Sequence, residues 1–246
     1  MRYLFKKTIP PPPDLGTLVT DMHSHIIPGI DDGSQSVETS LALVRGLADL
    51  GYKKLIATPH ILWDLYKNNE QTISPALLEL QNALDETDIR LPIQFAAEYF
   101  LDDHVEEQME QHIPLLTIHK NWVLTEFSFI SAPLDLKEKL FALQMAGYHP
   151  VLAHPERYGY FSRDKTVLDN LHEAGYHFQV NLLSFTGYYG KGPQELADYL
   201  VKKKYIHLLG TDMHHIRHLQ TLQSATLLTD IIKEIQDSGT LQNASL

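Results

Sequence analysis

Side chains that bind metal ions or transfer protons recur at regular places along this 246-residue chain. Each follows a short apolar segment, and imidazoles and carboxylates so placed are typical of metal ligands and of general acids or bases. Six segments share this property, and they end in Asp21-Met22-His23-Ser24-His25, Thr58-Pro59-His60, Ala97-Glu98, Thr125-Glu126, Ala153-His154-Pro155 and Thr211-Asp212-Met213-His214.

The spacing within two of these groups suits a shared ion. Residues i and i+2 of a β-strand point to the same side, so His23 and His25 can reach one ion, and so can Asp212 and His214. A chain with 14 histidines also contains such pairs by chance. The pairs taken alone therefore leave a structural role open.

Glu98 and Glu126 carry more information, because each ends a mostly apolar segment. A carboxylate buried there needs a cation or a hydrogen-bonding partner. Pairing with Arg or Lys is one solution, but two carboxylates near five histidines favour metal ions. The sequence Asp31-Asp32-Gly33 has two interpretations, a turn or a carboxylate ligand, since Asp and Gly also form turns.

The composition restricts both the kind of metal site and the class of partner. The chain has no cysteine, which excludes disulfides, thiolate nucleophiles and cysteine-ligated zinc. With 20 Lys and Arg against 31 Asp and Glu, the formal net charge is −11. This charge argues against general nucleic-acid binding, which depends on basic side chains. Any metal must therefore be held by His, Asp and Glu.

The pattern of segments also predicts the elements that bring these residues together. Short, largely apolar segments without strict alternation are typical of parallel strands buried on both faces. We expect strands at 18–22, 54–58, 93–97, 122–125, 150–153, 178–182 and 207–210. Helical periodicity predicts helices from Val37 to a stop at Gly51, from Ser74-Pro75 to Thr87, and over 134–146, 165–174, 193–203 and 219–236.

Seven strand–helix units predict an α/β fold, namely a distorted (β/α)7 TIM-like barrel in a single domain, with a doubly wound sheet as the alternative. In a barrel, all strands open their C-terminal ends on one face, where the loops build the active site. The six groups of His and carboxylate residues are then expected to meet in one bowl.

The barrel domain is expected to span residues 17–238. It follows an N-terminal proline-containing arm, residues 1–16, in which four consecutive prolines favour a stiff polyproline II segment. It precedes a C-terminal tail, residues 239–246, that we expect to be frayed. The sequence contains no apolar segment typical of a signal peptide or transmembrane helix, so we expect a cytoplasmic protein.

Four motifs together resemble one known family. They are His23-Ser24-His25-Ile26-Ile27-Pro28-Gly29-Ile30-Asp31-Asp32-Gly33, Ala57-Thr58-Pro59-His60, Ala153-His154-Pro155-Glu156-Arg157 and Asp212-Met213-His214. In this order and spacing they resemble the PHP-domain (polymerase and histidinol phosphatase) superfamily. The strongest resemblance is to its bacterial manganese-dependent protein-tyrosine phosphatases of capsular and exopolysaccharide biosynthesis, the CpsB/CapC type. The resemblance implies a distorted seven-stranded β/α barrel with a trinuclear metal site.

The resemblance also implies nine metal ligands, and it favours Asp32 over Asp31. Manganese is the implied cofactor, with up to three ions per chain and Fe, Zn, Co or Mg as possible replacements. The implied ligands are His23, His25, Glu98 and Asp212 for one ion, Glu98, Glu126 and His154 for a second with Glu98 bridging, and Asp32, His60 and His214 for a third.

Three further residues are implied in catalysis. Arg157 is similar to the family's phosphate-gripping arginine. Arg217 is a second candidate for catalysis and substrate binding, although its spacing from His214 departs from the family pattern. The ions would make hydroxide from a bridging water near neutral pH, and a planar guanidinium would hold phosphate oxygens. His215 or a metal-bound water would serve as the acid.

The expected function is therefore that of a protein-tyrosine-phosphatase, a metal-dependent phosphoric monoester hydrolase. The expected partner is a phosphotyrosyl protein, the tail of a bacterial tyrosine kinase, with peripheral contact to that membrane kinase. No nucleic-acid partner is expected. Two alternatives stay open: a small-molecule phosphatase such as a histidinol-phosphate phosphatase, and a non-catalytic metal-binding scaffold.

Overall fold

The fold is built on short parallel strands, seen in a computed structural model that describes residues 11–246. The strands form two hydrogen-bonded sheets, in the orders β1-β2-β4 and β3-β5-β6-β7-β8-β9. Within the described residues they are β1 (Thr20–Asp21), β2 (Lys54–Ala57), β3 (His60–Ile61), β4 (Ile93–Phe95), β5 (Glu98–Phe100), β6 (Trp122–Glu126), β7 (His149–Ala153), β8 (His177–Asn181) and β9 (Ile206–Gly210).

The strands predicted at 54–58 and 93–97 are each followed, after a break, by a second short strand that was not predicted. β2 and β3 together occupy one strand position around the barrel, here called a strand line. They are separated at Pro59, which has no N–H to donate to a neighbouring strand. β4 and β5 follow the next line, and the backbone bonds from Ala96 N–H to Ala57 and from Glu98 N–H to Pro59 join the two lines across the interruption.

The sheets close into a barrel between the first and last strands. The Asp212 N–H donates to the His23 carbonyl, and the His25 N–H donates to the Met213 carbonyl. All the strand pairs are parallel. Seven strand lines thus surround one axis, which confirms the predicted barrel over the doubly wound sheet.

Helices connect successive strand lines around the outside of the barrel. None of the helices formed by residues 11–246 combines the length and apolar character needed to cross a membrane. They are α1 (Val37–Asp49), α2 (Glu70–Asp85), α3 (Asp103–Glu110), α4 (Leu136–Met145), α5 (Thr166–Glu173), α6 (Lys191–Lys203), α7 (Ile216–Ser224) and α8 (Leu228–Asp237).

Helix α2 begins earlier than the sequence predicts. The Asn69 side chain accepts the Thr72 N–H, and the Thr72 hydroxyl accepts the Asn69 N–H. This reciprocal cap satisfies two backbone donors at the helix start. Pro75 therefore lies inside the helix, and the prediction that Ser74-Pro75 starts it is wrong.

Two other helix predictions also need correction. Helix α3 was not predicted because its only buried side chain is Val105, so its sequence has no apolar stripe. Asp102 starts it by accepting two backbone N–H groups. The single helix predicted over 219–236 is interrupted at Ala225, where a turn allows both Leu222 and Leu228 to be buried.

The apolar core has two layers. A large cluster lies mainly between the strands and the surrounding helices, with Leu47, Leu80 and Leu200 among its fully buried members. A smaller cluster fills the barrel interior with residues from several strand lines, as is typical of such barrels. Its members are Met22, Ile56, Ala96, Ile118, Leu124, Val151, Ala153 and Leu208.

The C-terminal residues pack against the barrel. Asn243 is buried, its Oδ1 accepts the Leu209 N–H, and its Nδ2 donates to the carbonyls of Thr20 and Leu209. Leu246 packs against the interior cluster. The prediction of a frayed tail is therefore wrong. Residues 1–10 of the predicted arm lie outside the described residues, and the domain limits stay a prediction.

Replacing Asn243 should lower stability markedly. Asn243→Ala leaves three backbone groups of Thr20 and Leu209 without their partner, and we expect the free energy of unfolding to fall by about 2–4 kcal/mol. Chemical denaturation measures this loss. Ser245→Ala, on an exposed residue in the same turn, is the control and should change stability little. Equal stability of the two variants would contradict this account of the tail.

A group of histidines lies at the opposite end of the barrel from the predicted site. His177 lies 4.1 Å from His149 and 4.2 Å from His207, measured between ring centroids, and His172 lies beside His207. Burial, together with repulsion from neighbouring imidazoles, lowers the pKa of His177 to about 3 and that of His207 to about 4. These rings stay neutral well below the pH at which a free imidazole is protonated.

This group predicts loss of stability in acid. Below about pH 6.5 the unfolded chain takes up protons on these imidazoles while the folded chain does not. The free energy of unfolding therefore decreases as the pH is lowered. In thermal melts between about pH 7.5 and 5, His177→Asn should lose less stability than the wild type. His112→Asn, at an exposed position, should follow the wild type. An unchanged slope in the His177 variant would argue against this origin.

Candidate active site

The structure brings all nine predicted metal ligands together at the C-terminal end of the barrel. Some begin or end a strand, as Glu98 and Glu126 do, and others lie just beyond one. They form four overlapping groups, in each of which the ligand atoms lie within 4.8 Å of one another. These groups are His25, Asp32, His60 and His214; His23, His154 and Asp212; His23, His25 and Glu98; and His60, Glu98 and Glu126.

Several residues belong to more than one of these groups, so the groups do not divide into three separate sets of ligands. His25 falls beside Asp32 and His214 as well as beside Glu98. His60 likewise joins Glu98 and Glu126. The division of the nine residues among three ions therefore stays a prediction.

Two of these residues have an uncommon backbone conformation. His154 has φ 34° and Asp212 has φ 50°, both in the left-handed region. Such conformations cost free energy and concentrate at functional sites, where the surrounding structure holds them in place. His154 directly follows β7 and Asp212 lies two residues after the end of β9, so in both places the backbone changes direction where the strand meets the site.

A glycine lets two strands approach closely beside the site. A Cβ added at Gly210 would lie 2.7 Å from the His23 Cβ and 2.8 Å from the Gln179 Nε2. Neither neighbour can move away without displacing a site residue. Gly210 thus fixes the distance between β9 and the His23 segment.

Opposite charges surround the buried Glu98. Its Oε2 lies 3.2 Å from His23 Nε2, 3.3 Å from His25 Nε2 and 3.2 Å from His60 Nδ1. Burial opposes ionisation, but attraction to the imidazoles keeps the pKa of Glu98 well below its usual range. The carboxylate is therefore charged in an interior position.

The donor atoms fit divalent metal ions. Among the described residues, Glu98 Oε2, His60 Nδ1 and His154 Nδ1 are buried and have no hydrogen-bond partner. Leaving such atoms without partners is costly, and a bound cation supplies the missing interaction. Imidazole nitrogen and carboxylate oxygen suit several first-row transition metals, so these ligands do not select one of them.

Residues behind the ligands orient two of the rings. The His25 Nδ1 lies 2.8 Å from Asp31 Oδ2, and the His23 Nδ1 lies 2.8 Å from Gln179 Oε1. An acceptor at Nδ1 holds the proton there and leaves Nε2 free to bind metal. Asp31 therefore has an orienting position, whereas Asp32 points towards His60 and His214.

The orienting network continues along β8. Gln179 Oε1 also accepts the His154 N–H, and Gln179 Nε2 donates to Asn181 Oδ1. Asn181 Nδ2 in turn donates to Asp212 Oδ2. The Asn181 N–H donates to Glu156, whose pKa is raised to about 7 by burial. Uncharged side chains of β8 thus contact three of the predicted ligands, His23, His154 and Asp212.

The cavity above the ligands has a volume of about 290 Å³. Arg157 reaches it between two rings, with its Cζ 4.7 Å from the Phe129 centroid and 4.4 Å from the Tyr189 centroid. Its Nη1 donates to Asp212 Oδ2 at 2.8 Å. Burial alone would lower the pKa of Arg157, but the nearby Asp212 carboxylate outweighs burial and raises it.

The other two predicted catalytic residues differ in position. His215 lines the cavity, and its Nδ1 accepts the His218 N–H at the start of α7. Arg217 is exposed, lies over the Tyr188 ring at 5.9 Å and is not among the residues that line the cavity. Its participation in catalysis stays a prediction.

Sequence reasoning missed Phe129, Gln179 and His218 as site residues. Phe129 and His218 line the cavity, and Gln179 lies behind it. Gln179 carried no signal of its own, because its side chain has the same chemistry as that of an exposed glutamine. Phe129 and His218 carried none, because loop aromatics and histidines near a helix start are common surface residues.

Known proteins are similar to this chain in sequence. A family model described as "Capsular polysaccharide synthesis, CpsB/CapC" matches residues 19–233. The chain belongs to the CpsB/CapC family. This membership confirms the resemblance drawn from the four sequence motifs.

Named members of the CpsB/CapC family are similar over most of their length. Tyrosine-protein phosphatase YwqE of Bacillus subtilis (strain 168) is 30% identical over 197 residues, which cover 80% of this chain and 78% of YwqE. Tyrosine-protein phosphatase CpsB of Streptococcus pneumoniae is 28% identical over 202 residues, 80% of this chain and 83% of CpsB.

A solved structure supports the same membership. It comes from work described as crystal structures of YwqE from Bacillus subtilis and CpsB from Streptococcus pneumoniae, "unique metal-dependent tyrosine phosphatases". The match has a TM-score of 0.78 and 29% identity, and it covers 87% of this chain and 86% of the other. The CpsB/CapC barrel is therefore common to both.

The network on β8 generates a prediction about metal affinity. Gln179→Leu removes the acceptor at His23 Nδ1, so that ring loses its fixed tautomer, and we expect metal affinity to fall roughly 10- to 100-fold. Titration of the metal-free protein with Mn²⁺ measures this change.

A second variant and a control separate orientation from folding. Gln179→Glu keeps an acceptor for His23 and should bind Mn²⁺ more tightly than Gln179→Leu. Gln94→Leu, at an exposed position of β4, should match the wild type. Wild-type affinity in Gln179→Leu would show that the amide does not orient the ligand.

Proposed function

We propose that this CpsB/CapC protein is a metal-dependent phosphomonoesterase that hydrolyses phosphotyrosine in proteins. One observation carries the proposal: a group of closely spaced His and carboxylate ligands and a cationic Arg157 face the same cavity. With divalent ions on these ligands, positive charge on both sides of the cavity would suit a phosphate ester. The names of YwqE and CpsB support the same substrate class.

The size of the cavity favours a single phosphorylated side chain. At about 290 Å³ it lies at the lower end of the range of ligand sites, roughly 300–1,000 Å³. Aromatic rings of Phe129 and Tyr189 form part of its lining. We infer that the phenyl group of the substrate contacts these rings while the phosphate reaches the ligand cluster.

The nine ligands are proposed to hold up to three divalent ions, with manganese as the resident metal. When bound, such ions supply an acidified water as nucleophile and neutralise charge on the phosphate. We propose the grouping that the family implies: His23, His25, Glu98 and Asp212; Glu98, Glu126 and His154; and Asp32, His60 and His214.

Arg157 is proposed to bind two non-bridging phosphate oxygens. Among the described residues its hydrogen bond is from Nη1 to Asp212, so its other N–H groups remain free for the substrate. The rings of Phe129 and Tyr189 pack close to the guanidinium and restrict its position. A planar, pre-positioned fork of donors matches phosphate better than an ammonium group does.

The leaving group is a phenolate. Free phenol has a pKa of about 10, so phenolate leaves with less help from a proton donor than an alkoxide needs. We propose that His215, at the edge of the cavity, donates the proton. Arg217 is proposed to contact the substrate outside the cavity.

The biological partner is proposed to be the tail of a bacterial tyrosine kinase that controls capsular or exopolysaccharide synthesis. The family description names capsular polysaccharide synthesis, which supports that setting. We propose a cytoplasmic location with peripheral contact to the membrane kinase. We also propose residues 17–238 as the catalytic domain.

Substrate preference tests the function. The protein, freed of metal by a chelator and reloaded with Mn²⁺, should hydrolyse a phosphotyrosyl peptide and should lose this activity when chelated again. Its kcat/KM for the peptide should exceed that for histidinol phosphate. The reverse preference would favour a small-molecule phosphatase, and no hydrolysis with metal bound would favour the scaffold.

Two variants separate metal binding from phosphate binding. His60→Ala should lower the number of bound Mn²⁺ ions and abolish most activity. Arg157→Lys should keep the metal content but lower kcat/KM roughly 100-fold, because the donor fork is lost. Arg163→Lys, an exposed change six residues along the chain, is the control. Full activity in Arg157→Lys would contradict the phosphate-binding assignment.

A further inference from the structure

Apolar side chains project from the loop that joins β6 to α4. Ile130 is 94% exposed, Leu134 is fully exposed and Phe129 is 43% exposed. Isolated exposed apolar residues are common on protein surfaces. Three within six residues of one loop indicate a surface that contacts another molecule.

Phe129 joins this exposed surface to the catalytic cavity. Its ring centroid lies 5.4 Å from that of His154 and 4.7 Å from the Arg157 Cζ, so one part of the ring belongs to the cavity lining. Ile130 is the next residue and extends the apolar surface outward. The surface is therefore continuous with the proposed substrate site.

The cavity leaves the neighbours of a phosphotyrosine outside. A space of about 290 Å³ takes one side chain, so the adjoining residues of a polypeptide must lie across its edge. An extended chain advances about 3.3–3.6 Å per residue, and its first three neighbours therefore reach roughly 11 Å from the phosphotyrosine. Ile130 directly follows the cavity-lining Phe129 in the chain, so it lies within the distance that these neighbours cover.

We propose that Phe129, Ile130 and Leu134, here called the 129–134 rim, bind an apolar residue of the polypeptide substrate within three positions of the phosphotyrosine. The inference rests on the proposed function and adds a sequence preference to it. Burial of an apolar side chain against Ile130 and Leu134 removes apolar surface from water on both molecules. A small aryl phosphate has no such residue and gains nothing from the rim.

The test compares peptides with a small substrate. We expect the Mn²⁺-loaded wild type to hydrolyse phosphotyrosyl peptides with one Leu within three positions about tenfold better, in kcat/KM, than the same peptides with Ser. In the double variant Ile130→Ser and Leu134→Ser, this preference should disappear through a higher KM. Hydrolysis of p-nitrophenyl phosphate should stay at the wild-type rate.

A control variant removes an exposed apolar residue elsewhere on the surface. Leu78→Ser, on α2 and 56% exposed, lies outside the cavity lining and should keep the wild-type preference for Leu. Thermal midpoints of all variants should agree, because these side chains lie at the surface. Such a result would support a local contact between rim and substrate.

Several outcomes would overturn the inference. Equal kcat/KM for Leu and Ser peptides in the wild type would show that the rim does not contact the substrate. A dimer that dissociates in the double variant, with peptide preference unchanged, would assign the rim to a second copy of the chain. If the Mn²⁺-loaded wild type hydrolysed neither peptide nor aryl phosphate, the proposed function would fail, and the rim assignment with it.

Discussion

The confinement of negative charge inside the barrel is the constraint on which the rest of this structure depends. Glu98, Glu126 and Asp212 are almost completely buried, and each lies close to histidine side chains of the same cluster. Such charges are stable in an interior only beside compensating positive charge. The unpartnered ligand atoms indicate that divalent cations supply it, because imidazoles that bind a metal ion are themselves neutral. Barrel closure and the left-handed residues keep these groups in place.

The second layer of the site makes the ligands unequal. His25 is oriented by the Asp31 carboxylate, whereas His23 is oriented by the neutral amide of Gln179. A carboxylate partner increases the basicity of a ligating imidazole more than an amide does. The two rings proposed to share one ion with Glu98 and Asp212 would therefore differ in ligand strength, even though both come from one short segment.

The substrate side of the site combines charge with apolar surface. Arg157 is held between Phe129 and Tyr189, so its position is set before any phosphate binds. The formal net charge of −11 belongs mostly to the outside of the protein, while Asp32, Glu98, Glu126 and Asp212 lie among the ligands. A phosphate ester therefore meets an acidic surface and, where divalent ions occupy the ligands, a cavity with local positive charge. Phe129 is shared by the cavity and the apolar rim.

The sequence by itself determined the barrel and eight of the ligand candidates, because strand pattern and residue type are local properties and parallel strands open on one face. The family resemblance added Asp32. It did not separate Gln179 from the exposed Gln94, since the two have the same chemistry and differ only in what lies around them. The tertiary structure decided that Arg217 lies outside the cavity, that Phe129 belongs to it and that Asn243 joins Thr20 to Leu209. Each of these depends on contacts between residues far apart in the chain, which no local pattern encodes.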